Sequence, residues 1–164
     1  MKWGASSLEA VRNHPSLVSL EIIDPYHIQS YDVIGTCSKL ETLAIRNSPS
    51  IHRIDWISQL SSLKSLDLSG CLFIPSLEPV AHCSLLKTLN VRDCSMISSL
   101  EPIAHCSLLE KLDARYCKLI NRPTQFQCLE ACSHLTVLLC GNEDWDFGIH
   151  VVLRGGLVIG TRYP

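Results

Sequence analysis

The phrase between Leu63 and Cys117 recurs every 23 residues, and that spacing restricts the fold more than any other feature of the chain. LKSLDLSGCLFIPSLEPVAHCSL runs from Leu63 to Leu85 and LKTLNVRDCSMISSLEPIAHCSL from Leu86 to Leu108. LEKLDARYCKLI then opens a further copy at Leu109. With the first leucine of each copy taken as its anchor, the anchors are Leu17, Leu40, Leu63, Leu86 and Leu109. The sixth, Leu135, follows after 26 residues, so the last complete turn carries three extra. A fixed period of this size marks stacked units, each too small to bury its own apolar edge.

Aligning the copies gives columns. Three residues beyond the anchors stand Leu20, Leu43, Leu66, Leu89, Leu112 and Leu138, and two further on Ile22, Ile45, Leu68, Val91, Ala114 and Cys140. This alternation is the period-two signal of a short strand with one buried face. The second half of each copy carries an unbroken isoleucine column, Ile28, Ile51, Ile74, Ile97 and Ile120. Beyond it lie Tyr31, Ile54, Leu77 and Leu100, then Ile34, Ile57, Val80 and Ile103. Apolar residues spaced by three suit a 3₁₀ turn or short helix, and Pro79 and Pro102 fall where a first helical turn tolerates a missing N–H. Each unit therefore reads as strand, turn and short helical return.

These residues resemble the leucine-rich repeat family, over nearly the whole chain. The similarity is to its short repeats of about 22–23 residues and to its cysteine-bearing variant, where Cys replaces a consensus Asn. The resemblance implies an α/β fold: a right-handed solenoid with a concave parallel β-sheet and short 3₁₀ or helical turns on the convex side. The expected organisation is one domain over residues 1–164. Residues 1–16 form a half-repeat cap resting on Trp3 and Leu8, 17–143 hold about six repeats, and 144–164 form a capping hairpin. Within that last segment, Val151–Arg154 and Leu157–Ile159 flank Gly155-Gly156, which reads as a two-residue turn. The alternative is a strand offered to a partner's sheet edge.

Nine cysteines suggest metal or redox chemistry until the period is applied. Cys37, Cys83, Cys106 and Cys132 share a column with Leu60, so theirs is a packing slot. Cys71, Cys94 and Cys117 occupy the strand-end position where the resemblance implies Asn. A ladder of buried thiols is the expectation, with no metal and no cofactor. His82 and His105 should point outward while the neighbouring Cys83 and Cys106 point inward. Cys128, Cys132 and His134 cluster beside the inserted Asn121–Gln127 but lack an evident fourth zinc ligand. The serine column Ser38, Ser61, Ser84, Ser107 and Ser133 reads as local hydrogen bonding, and no nucleophile, phosphate-loop or metalloprotease motif is present. No enzymatic role is expected.

A net charge of −2 gives no electrostatic reason to expect nucleic acid or anionic lipid as the main partner. The start of the chain has no apolar run suited to a signal peptide, no stretch is long enough to span a bilayer, and the cysteine usage suits a reducing compartment, so a cytoplasmic location is expected. What remains is a face. Between the leucines, acidic and basic columns run side by side, and Arg46, Asp67, Asn90, Arg92, Asp113, Arg115 and Tyr116 are the candidate contacts on the concave sheet. Arg and Tyr are favoured at protein–protein hot spots, whereas the plainer alternative is a solvated face of mutually satisfied charges. The resulting expectation is a scaffold or adaptor that binds protein partners rather than a small-molecule substrate, as a subunit of a larger assembly. Two alternatives are a substrate-recognition component of a ubiquitin ligase, which the cysteine-bearing repeats resemble, and a structural component of a ribonucleoprotein.

Overall fold

A computed structural model describes residues 7–141, and beyond them the backbone of 151–153 and 156–158. Six strands, β1 (Ser19–Ile23), β2 (Thr42–Arg46), β3 (Ser65–Asp67), β4 (Thr88–Asn90), β5 (Lys111–Arg115) and β6 (Val137–Gly141), form one open sheet in sequence order. Every neighbouring pair is parallel, and the leucine column is continuous across it: Leu20, Leu43, Leu66, Leu89, Leu112 and Leu138 sit opposite one another. The equal period fixes this register, because slipping by one residue would turn every leucine to the solvent face.

Between strands the chain returns through 3₁₀ turns at Asp32–Thr36, Asp55–Gln59, Glu78–His82 and Glu101–His105, with a shorter one at Glu9–Val11. Each is a single tight turn, as spacing by three requires, and Pro79 and Pro102 occupy its first positions. Ser76 and Ser99 hydroxyls accept the amides of Glu78 and Glu101, both at 3.1 Å, and so satisfy donors that the turn leaves free. The three extra residues of the last turn are absorbed by a nine-residue 3₁₀ segment, Pro123–Ala131. Gln125 closes that expansion. Its Oε1 accepts the amides of Asn121 and Arg122, both at 2.9 Å, and its Nε2 donates to Ser98 O of the preceding turn at 2.8 Å.

The core is the space between sheet and turns. Ile51, Ile74 and Ile97 are at most 1 % exposed and belong to one continuous cluster with the leucines and cysteines. Leu8, Val11 and Leu17 pack against its first rung only partly buried, while Trp3 lies outside the described residues. Past β6, β7 (Val151–Leu153) and β8 (Gly156–Val158) pair antiparallel. Leu153 stands opposite Gly156, so the hairpin expected from the sequence exists, but Gly156 belongs to its second strand instead of its turn. The rest of the expected cap, 144–150, 154–155 and 159–164, lies outside the described residues. No helix among the described residues is long and apolar enough to cross a membrane.

Candidate protein-binding face and cysteine ladders

The cysteines occupy two parallel ladders inside the solenoid. In the first, the Cys71, Cys94 and Cys117 thiols donate to the carbonyls of Ile45, Leu68 and Val91, at 3.2, 3.1 and 3.1 Å. Each bond joins a turn to the one before it. Ser48 fills the same column one turn earlier, fully buried, and its hydroxyl meets Tyr31 Oη at 2.7 Å. In the second ladder, Cys37, Cys83, Cys106 and Cys132 reach back to Val11, Ile57, Val80 and Ile103 at 3.2–3.7 Å. These seven thiols are at most 4 % exposed. Burial pushes Cys71, Cys83 and Cys132 up to about 11 and Cys106 and Cys117 up to about 12, and it raises Cys94 further still. Such groups behave as small apolar fillers with a weak donor, not as nucleophiles or metal ligands.

His82 and His105 point outward from Cys83 and Cys106, as expected. Cys128, Cys132 and His134 engage three different backbone carbonyls, those of Gln125, Ile103 and Ser107. Among the described residues, no group of three or more His, Cys, Asp or Glu is placed to hold a metal. The serine column departs from expectation. Of its five hydroxyls only that of Ser133 bonds within the described residues, to His134 Nδ1 at 3.2 Å, while the others face solvent or the rim of their loops.

On the sheet face the candidate residues do come together, but most are engaged with one another. Arg46 at the end of β2 donates to Asp67 at 2.7 Å and to Glu21 at 2.5 Å, bridging three turns. Arg115 forms a bidentate pair with Asp113, with Nη2 to Oδ2 at 2.6 Å and Nε to Oδ1 at 3.0 Å. This pair is the more buried, with side chains 29 % and 16 % exposed. Asp67, Asn90 and Asp113 also share a local task that spacing does not reveal. Their Oδ1 atoms accept the amides of Ser69, Arg92 and Arg115, two residues on, at 2.9–3.1 Å. Side-chain oxygens of this kind offer the amide a partner outside the ladder, and β3 and β4 end at Asp67 and Asn90 while β5 runs on to Arg115. For Asp67, burial pushes the carboxyl up. The bonds from Arg46 and Ser69 outweigh it and hold the group below the usual carboxylate value.

One residue stands apart. The column just past the strands turns the chain through the left-handed region at Asp24, Asn47, Gly70 and Asp93, residue types that tolerate it. The fifth member is Tyr116, at φ 62°. A bulky side chain at positive φ is strained. The guanidinium of Arg92, itself paired with Asp93 at 3.2 Å, lies 5.0 Å from the centre of the Tyr116 ring. Arg92, Arg115 and Tyr116 therefore form a half-buried basic and aromatic knot at the edge of the sheet.

Sequence reasoning missed a second surface. Phe73, Met96 and Leu119 share one register position on successive turns and are 45–48 % exposed. Each directly precedes a core isoleucine, Ile74, Ile97 or Ile120, so in the sequence this stripe merges into the buried run. Its only signal is that the same column holds His27 and Ser50 in the first two turns.

An open arc of parallel strands, backed by 3₁₀ turns and stitched by side chains one period apart, defines a repeat solenoid. Within that class the chain is similar to leucine-rich repeat proteins: the Leucine Rich Repeat family model matches residues 62–84. Among solved structures it is similar to internalin C2 of Listeria monocytogenes (26 % identity, TM-score 0.66, 77 % of this chain and 53 % of that one). It is also similar to a leucine-rich repeat protein of Leptospira interrogans (18 %, TM-score 0.67, 82 % and 35 %). A third, the functional domain of InlJ from Listeria monocytogenes, includes a cysteine ladder (16 %, TM-score 0.50, 73 % and 29 %). The chain thus spans between 29 % and 53 % of the length of these three structures. Among curated proteins, none matches it in sequence.

Proposed function

We propose that this chain is a protein-binding scaffold that receives its partner on the concave sheet face, centred on Arg92, Arg115 and Tyr116 and flanked by Arg46, Asp67, Asn90 and Asp113. The observation that carries the reading is Tyr116. Its four column-mates relieve the left-handed turn with Asp, Asn, Gly or Asp, whereas this turn accepts strain and presents an aromatic ring beneath a guanidinium. Strain of this kind concentrates where a side chain is needed for contact. A rigid aromatic beside two arginines is the composition of an interface hot spot. Asp67, Asn90 and Asp113 then hold the strand exits while the arginines and the tyrosine meet the partner.

The finer reading is a subunit of a larger assembly in a reducing, cytoplasmic setting, which the buried thiols favour. Substrate recognition for a ubiquitin ligase and a place in a ribonucleoprotein rest on the sequence resemblance and composition alone. The test is purification of partners with the full chain, followed by direct binding of each purified candidate to Arg115→Ala/Tyr116→Ala. A partner of this face loses at least about tenfold in affinity, the scale of a lost hot spot. Unchanged affinity for every retained partner, with the fold intact by circular dichroism, moves the interface elsewhere.

A further inference from the structure

The concave face is built from columns, and at one end two of them change character. Two residues past the anchors stand Ser19, Thr42, Ser65 and Thr88, in register across β1 to β4. On β5 and β6 the same column holds Lys111 and Val137. Two residues further on, the run Glu21, Ala44, Asp67, Asn90 and Asp113 gives way to Leu139. Leu112 and Leu138 alternate with these residues and point into the core. Lys111, Val137 and Leu139 therefore stand on the open side of the sheet, the lysine exposed and the two aliphatic residues half-buried.

The other charged side chains of this face are already matched. Arg46 holds Glu21 and Asp67, Arg92 meets Asp93, and Arg115 holds Asp113. Asp113 accepts from the Arg115 guanidinium through both oxygens and from the Arg115 amide as well. On the bordering column, Lys64 and Lys87 are paired with Glu41 and Glu110. Lys111 has no ion pair among the described residues. An incoming carboxylate thus meets one unmatched ammonium, whereas an incoming cation meets only carboxylates that already have partners. A single cation is too little for a nucleic-acid backbone, which is held by many.

Register combines the two demands. Lys111 stands opposite Val137, and Leu139 lies two residues along β6 from that point. Two residues of strand cover ~6.6 Å, which is also the separation of side chains on one side of an extended peptide. We propose that this end of the face selects an extended partner segment that sets a carboxylate against Lys111 and, two residues along, an aliphatic side chain over Val137 and Leu139. The proposal rests on the reading of the concave sheet as the protein-binding surface and names the partner chemistry that surface takes.

The test is a titration of the ¹⁵N-labelled full chain with the capped pentapeptide acetyl-Ala-Glu-Ala-Leu-Ala-N-methylamide and with analogues carrying Gln or Lys in place of Glu. The amide signals of Lys111, Val137 and Leu139 should shift saturably with the Glu peptide. The Gln peptide should bind about threefold more weakly and the Lys peptide about fivefold or more, the scale of one exposed ion pair lost or reversed. Lys111→Glu should invert that order, so that the Lys peptide binds more tightly than the Glu peptide. Leu139→Ser should weaken all three by a similar factor and preserve their order. Equal affinity for the three peptides overturns the proposal, as does an order that Lys111→Glu leaves unchanged or the absence of saturable binding by any of them. If Lys111→Glu does not fold, Lys111→Gln decides instead by bringing the Glu and Gln peptides to equal affinity. A purified partner that loses affinity with Arg115→Ala/Tyr116→Ala but not with Lys111→Glu keeps the face as an interface and overturns only the chemistry assigned to it here.

Discussion

Raising the pH should unfold this protein through its thiols. A lone thiol titrates near 9.0, whereas burial holds Cys71, Cys83 and Cys132 near 11 and Cys106 and Cys117 near 12. Above pH 9 the unfolded chain releases these protons first. It then binds fewer protons than the folded chain, and stability falls as pH rises toward the folded values. Below pH 9 the contribution is intact. Each thiol contributes a slope of about 1 kcal/mol per pH unit in that window, so five together remove roughly 5 kcal/mol or more between pH 9 and 10. Domains are stable by only ~5–15 kcal/mol, so a cooperative loss of structure is expected by about pH 11. Urea unfolding followed by circular dichroism at pH 7.5, 8.5, 9.5 and 10.5 measures the slope. Removing two rungs, Cys71→Ala with Cys94→Ala, lowers stability at pH 7.5 but flattens the alkaline slope by about two thiols' worth. An unaltered chain equally stable at pH 7.5 and 10.5 would refute the reasoning, as would a double variant with the original slope.

Further outcomes follow from the same geometry. Ile97→Ala, in a fully buried column between Ile74 and Ile120, should cost ~2–5 kcal/mol in urea unfolding, and a loss under about 1 kcal/mol would contradict its placement. Asp67→Asn should be tolerated, because Asn90 performs the same strand-end role one turn later. Asp67→Ala removes that acceptor and should cost ~1–2 kcal/mol, measured by the same unfolding. The stability that the Asp67 carboxylate adds is present above about pH 4 and fades as pH falls through its lowered folded value, a dependence that Asp67→Asn abolishes. Deleting residues 149–164 should prevent folding if the hairpin caps the solenoid. A folded remnant that no longer binds its partner would make the hairpin a docking strand instead.

Equal spacing made the architecture legible. Once Leu66, Leu89 and Leu112 fall in line, the strand register, the isoleucine column and the inward cysteines follow, because identical units can stack only with like on like. The candidate face was legible as composition and not as function. Spacing shows that Asp67, Asn90 and Asp113 recur, yet only coordinates show that each is committed to the amide two residues on. Tyr116 is conspicuous in its column, but its strain is a backbone property that no side-chain pattern displays. Phe73, Met96 and Leu119 were hidden by adjacency, since an exposed apolar residue next to a buried isoleucine extends a hydrophobic run without signalling that it faces water. Trp56 escaped notice because a tryptophan in an apolar column passes as core until its buried N–H is found without a partner among the described residues.

The thiol bonds of the two ladders all point the same way, each from one coil to the coil before it, and among the described residues the coils touch only their neighbours. Stretched between its ends in an optical trap, such a molecule has, among the described residues, no long-range tie to make it rupture at once. It should release one coil per event, in lengthening steps of ~80 Å for 23 residues of drawn-out chain.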